Sequence, residues 1–127
     1  MVRGRATGKY ASLLVRETYL AATPELLEEI CNGCGAANAK FDFVPDSAWG
    51  LDINPACKPH DWEYYEGTTL TDKIRADGLF YTNLLRLIRA YGGCMEWPRE
   101  RRALKYYLAV KHLGEPAFWE GKDGPRI

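Results

Sequence analysis

The sequence has no long hydrophobic run. Stretches such as residues 11–15 fall far short of the roughly 20 apolar residues needed to cross a bilayer, so no membrane-spanning helix is expected. It has no excess of either charge: Lys plus Arg and Asp plus Glu each total 17. No global field would therefore draw it to nucleic acid or to an anionic membrane, and any such contact must be local. No segment alternates with period two for long, and there is no internal repeat or low-complexity tract, which excludes solenoid and collagen-like architectures and argues against a sheet-built fold. Cysteine is sparse. The four present, Cys31, Cys34, Cys57 and Cys94, are too few for a disulfide-dense scaffold, yet compatible with one or two disulfides or with a metal site. The basic start is followed by an apolar stretch that Arg16 and Glu17 interrupt, so no secretory signal is visible and the compartment stays open.

The hydrophobic content, 46% with 13% aromatic, suffices for one core, and a single domain over 1–127 is expected. Tyr10, Leu13, Leu14, Leu20 and Ala21 recur loosely at helical spacing, which predicts a helical extension over 1–29. Within it Thr23 caps a second helix, Pro24 sits at its first position, and Leu26, Leu27 and Ile30 form its apolar side. Gly33, Gly35, Asn38, Asp42 and Pro45 carry turn chemistry, and 31–54 reads as an ordered loop. A helix follows over 55–65, capped by Asn54, with Pro59 in its first turns. Glu66, Gly67 and Thr68 make a turn. The longest helix then starts at Thr69 or Thr71, runs to about Tyr91 and stops at Gly92 and Gly93. Its apolar positions are Ile74, Tyr81, Leu84, Leu85, Ile88 and Tyr91. A last helix spans 98–113 and ends at Gly114. The expected class is all-α.

On the helix at 55–65, Cys57, His60 and Tyr64 share one face, while Asp61 is turned about 100° away, so imidazole and carboxylate address different partners. Asp77 falls on the apolar face of the next helix, where an unpaired charge is costly. If the two helices are antiparallel about the turn near residue 68, positions equally far from it lie level, and that register pairs Asp77 with His60. A carboxylate on one imidazole nitrogen fixes the tautomer and leaves the other to take a proton from water. The plainer alternatives are a core histidine beside a solvated Asp61, and an Asp77 partly exposed beside Lys73. A third reading takes Cys31, Cys34, Cys57 and His60 as the four ligands of a zinc site in an interaction module. It leaves Asp61, Tyr64 and Asp77 without a role.

The run Trp49-Gly-Leu-Asp-Ile-Asn-Pro-Ala-Cys57-Lys-Pro-His60-Asp61-Trp-Glu-Tyr64 resembles the catalytic helix and lead-in of the small secreted phospholipases A2, in particular their bacterial and fungal branch. Ala76-Asp77-Gly-Leu-Phe80-Tyr81 is similar to that branch's second helix, and Tyr106-Tyr107-Leu-Ala-Val-Lys111 to its closing helix. The resemblance is best supported over 30–114. It implies two antiparallel catalytic helices preceded by a calcium-binding loop, and calcium-dependent hydrolysis of phospholipid acyl esters. His60 would be the general base, Asp77 its orienting partner, Asp61 the side-chain ligand of calcium, Gly33 and Asn32 the loop positions at the ion, and Tyr64 a substrate-binding residue. It further implies a Cys34–Cys57 disulfide, a secreted monomer acting at a phospholipid surface, and no nucleic-acid partner. Asn32 stands where the family has an aspartate, the interval from Cys34 to His60 is longer than in those relatives, and Cys31 and Cys94 have no family counterpart. A phospholipase-like protein that binds lipid without turnover remains a further alternative.

Overall fold

Side-chain caps set where helices begin. In the computed structural model, which describes residues 2–3, 13–31 and 44–122, Thr23 accepts a hydrogen bond from Leu26 N–H at 3.2 Å and opens a helix at Pro24–Ile30. Leu26, Leu27 and Ile30 are half-buried there, as their spacing requires. The long helix Leu70–Tyr91 opens on a reciprocal cap: Thr69 Oγ1 accepts from Asp72 N–H at 3.1 Å, and Asp72 Oδ2 accepts from Thr69 N–H at 3.1 Å. It stops at Gly92, whose φ of 70° lies in the left-handed region that favours glycine.

In chain order the elements are β1 (Val2–Arg3), β2 (Leu14–Val15), α1 (Glu17–Ala21), α2 (Pro24–Ile30), β3 (Ser47–Ala48), β4 (Leu51–Asp52), α3 (Asn54–Glu66), α4 (Leu70–Tyr91), α5 (Glu96–Leu113) and α6 (Glu115–Trp119). The described chain is therefore mainly helical, as its periodicity implies. The short turn at Gly67 folds α4 back along α3, and the Gly92–Gly93 corner folds α5 back along α4. Tyr81 of α4 stacks on Tyr107 of α5 at 5.0 Å, and Arg89 reaches Glu100 at 3.2 Å, which fixes that second antiparallel register. The core lies between these three helices: Phe80, Leu84, Leu87 and Ile88 from α4 meet Ala103, Tyr106 and Val110 from α5, closed by Phe118 and Trp119 of α6. Burying each large apolar side chain of this set contributes roughly 1.5–3 kcal/mol.

Several expectations are corrected. The N-terminal extension is not helical throughout. Leu14 and Val15 form β2, antiparallel to β1, because both backbone groups of Leu14 are taken by the side chain of Asn83: Leu14 N–H donates to Asn83 Oδ1 at 2.8 Å and Asn83 Nδ2 donates to Leu14 O at 2.9 Å. Residues 31–54 are not one loop. Within them β3 and β4 make a hairpin whose turn residues, Trp49 and Gly50, both have positive φ. Arg99 of α5 holds this turn by donating to Trp49 O at 2.9 Å, and Tyr106 donates to Ser47 O at 2.9 Å. Asn54 is not the cap of α3 but its first residue, and Asp52 Oδ1 accepts the Asn54 N–H at 3.0 Å instead. The buried face of α4 keeps Leu84 and Ile88 from the expected set but is shifted elsewhere: Ile74 and Tyr91 are exposed, at 63% and 39%, whereas Ala76, Phe80 and Leu87 are buried. Helix α5 starts at Glu96, before Pro98, and α6 follows it unforeseen.

Candidate functional site

Helix α3 carries the first half of the site, and its proline does not prevent it. Pro55 lies in the first turn, where an N–H is not needed, and Pro59 forfeits one bond near the start of a helix that is buried on several sides. His60, Asp61 and Tyr64 are all buried. Across the turn at Gly67, α4 brings Asp77 level with His60, and His60 Nε2 lies 2.9 Å from Asp77 Oδ1. The register that places equal distances from the turn side by side thus holds in the structure.

Asp77 is the centre of the arrangement. Besides His60, Oδ1 accepts a hydrogen bond from the Tyr64 hydroxyl at 2.6 Å, and Oδ2 accepts from Lys73 Nζ at 2.6 Å. Burial pushes the Asp77 carboxyl upward, but the hydrogen bonds and charges of its partners, His60 foremost, together outweigh it and hold the group below the usual carboxylate range. An ionised carboxylate only accepts, so Nε2 carries the hydrogen and the basic nitrogen of neutral His60 is Nδ1. Burial lowers the His60 pKa, and Asp77 offsets part of that. The imidazole is also flanked by rings, with centroids 4.4 Å from Tyr64 and 4.7 Å from Phe80, which fix its plane.

Tyr64 is therefore placed differently from the substrate-binding position expected of it. It is 1% exposed, its hydroxyl serves Asp77, and burial together with Asp77 raises its phenol well above the ordinary range. Gly114 gives that hydroxyl its space: a Cβ there would lie 2.5 Å from Tyr64 Oη. Gly114 has φ −83° and so is required by this close approach and not by a left-handed turn.

Asp61 faces away from the pair, towards the N-terminal helices. Burial, then the nearby Cys31 and Asp61, push the Tyr19 phenol up to about 12, which puts the Asp61 carboxylate on the side of Tyr19 in α1 and Cys31 at the end of α2. Asn32, Gly33 and Cys34 lie outside the described residues. Among the described residues, no cluster of His, Cys, Asp and Glu gathers three potential ligands. A carboxylate oxygen is a donor of the kind that a hard cation such as calcium takes, and Asp61 offers one, buried among the described residues. The zinc reading fits less well, because Cys57 is disulfide-bonded and has no thiolate to offer, while His60 Nε2 is engaged with Asp77.

Lys73 and Asn83 were not foreseen as part of this framework. The Lys73–Asp77 spacing of four on one helix was the available signal for the first. A third unforeseen tie, Arg16 Nε to Glu63 at 2.8 Å, fastens the N-terminal segment to α3 three residues beyond His60. Burial raises the Glu63 pKa, and Arg16 opposes that shift. Compared with known proteins, the chain matches no family model, no curated protein and no solved structure.

Proposed function

We propose that this protein hydrolyses phospholipid acyl esters in the manner of a phospholipase A2, with His60 as general base, Asp77 as its positioning partner and calcium as cofactor. The observation that carries the reading is the buried His60 Nε2 to Asp77 Oδ1 contact at 2.9 Å, on the two helices whose motifs resemble that family. Asp77 fixes the Nε2–H tautomer, so Nδ1 is the atom that takes a proton from the attacking water. The imidazolium then formed is stabilised by the same carboxylate, whose charge the buried site does not dilute. Tyr64 and Lys73 hold the carboxylate in place.

Asp61 is the side chain that would hold calcium, with Gly33 and Asn32 as the further ligands that the resemblance implies. When bound there, the ion supplies polarisation of the ester carbonyl and compensation of the charge that develops on its oxygen. The partner of Cys57 in this reading is Cys34, which ties that loop to α3. A phospholipid surface also suits the exposed aromatic face formed by Trp49 and Trp97, 52% and 68% exposed, over which Arg102 and Arg101 stack at 5.2 and 5.1 Å. The test is fatty-acid release from mixed phospholipid vesicles with and without a calcium chelator. Release that stops with chelator and in His60→Gln supports the reading. Vesicle binding without release identifies a lipid-binding protein instead, and neither binding nor release removes the reading altogether.

A further inference from the structure

Lysine is seldom fully buried, and Lys73 is 3% exposed. Its ammonium has three donors, and all three have acceptors: Asp77 Oδ2 at 2.6 Å, Val110 O at 3.2 Å and Lys111 O at 3.3 Å. The two carbonyls belong to the last turn of α5, the negative end of its dipole, where a cation is favoured. Lys73 thus joins the end of one helix to one oxygen of Asp77, while the other oxygen faces His60 and Tyr64. A carboxylate held by a single oxygen can rotate about its last bond. With Oδ2 held from the α5 side, the plane of the group is set and Oδ1 is aimed at the imidazole. We propose that Lys73 is a positioning residue of the site: anchored on the last carbonyls of α5, its ammonium fixes the Asp77 carboxylate so that His60 is held in one tautomer.

The catalytic part of this role rests on the reading of His60 as a general base; the structural part does not. A cavity of about 170 Å³ opens beside the pair, lined by Lys73, Asp77, Tyr107, Lys111 and Glu115. It has room for a small ammonium ion, which makes the role testable by replacement. The chain has two histidines, so the imidazole nitrogens of His60 are readily assigned in histidine-labelled protein by long-range proton–nitrogen correlation at one fixed pH. In the wild type the proposal requires the Nε2–H tautomer alone. In Lys73→Ala it requires a mixture of tautomers, a fall in kcat that stays within the roughly 10²- to 10⁴-fold that the whole general-base contribution is worth, and unchanged KM and calcium affinity. Added ethylammonium should restore the single tautomer and the rate. Lys73→Arg, which keeps the charge and can use the adjoining space, should hold the tautomer without added amine, and this covers the case in which Lys73→Ala does not fold. A single Nε2–H tautomer and an undiminished kcat in folded Lys73→Ala, or mixed tautomers in folded Lys73→Arg, would overturn the proposal. If the wild type releases no fatty acid, the enzymatic reading fails while the tautomer measurement still decides the role of Lys73.

Discussion

Replacing Asp77 by Asn removes one charge from a place where two are buried together. The side chains of Lys73 and Asp77 are 4% and 3% exposed and in contact at 2.6 Å. Breaking such a pair from one side leaves the other charge uncompensated, which costs about 3–5 kcal/mol. In Asp77→Asn the Lys73 ammonium keeps its two carbonyl acceptors, so the lower end, about 3 kcal/mol, is expected. In Lys73→Met the Asp77 carboxylate keeps the Tyr64 and His60 donors, and a similar loss of about 3 kcal/mol is expected. The double variant carries neither charge. Replacing a buried pair by uncharged groups of similar volume is often neutral, so the double variant should lose far less than the sum of the singles, with a coupling that approaches about 6 kcal/mol when the double variant is neutral. Urea unfolding at pH 7 on all four proteins, with constant m-values, measures the cycle. Losses in the singles that simply add in the double variant, within about 0.5 kcal/mol, would refute the picture of a mutually dependent buried pair.

Asn83→Ala should destabilise by about 2 kcal/mol, since it removes two hydrogen bonds and strands both backbone groups of Leu14; amide exchange at Leu14 should accelerate, and unchanged protection there would count against the tie. Stability should fall as pH drops below about 6.5, because the folded His60 pKa is lowered and the unfolded chain takes up the proton first; the fall ends once pH is below the folded value. A second loss begins below about pH 4 as Asp77, depressed in the folded state, is protonated. The first loss should be absent in His60→Gln, and its persistence there would assign it to another group. Asp61→Asn should abolish calcium binding while keeping the fold; equal calcium affinity by calorimetry in wild type and variant would remove Asp61 from the site.

The positions of α3 and α4 were legible because glycine, threonine and proline mark their ends, and the His60–Asp77 register follows from two straight helices about one short turn. The long helix was bounded correctly for the same reason, and Leu84, Ile88 and Asp77 lie on its buried face as expected, but Ile74 is apolar and exposed, and the buried stripe also includes Lys73 and Asn83, which polarity alone excludes from a core. Those polar residues are buried because each finds partners on other elements, Lys73 on α5, Asn83 on β2 and Asp77 on α3, and such partners lie tens of residues away in sequence. The β3–β4 hairpin was missed because two-residue strands have no readable period, and its turn places Trp49 at φ 47°, a conformation that a sequence does not suggest for tryptophan. Tyr64 was placed on the right helical face, but its role depends on Gly114, fifty positions later, leaving space for its hydroxyl.

The central claim is that Asp77 acts through His60 in a calcium-dependent hydrolysis. It is tested most directly by the initial rate of fatty-acid release from phospholipid vesicles by folded Asp77→Asn, with calcium affinity measured on the same sample. General-base assistance contributes roughly 10²- to 10⁴-fold, so a fall within that range at unchanged calcium affinity is predicted. An undiminished rate with intact calcium binding would contradict the account.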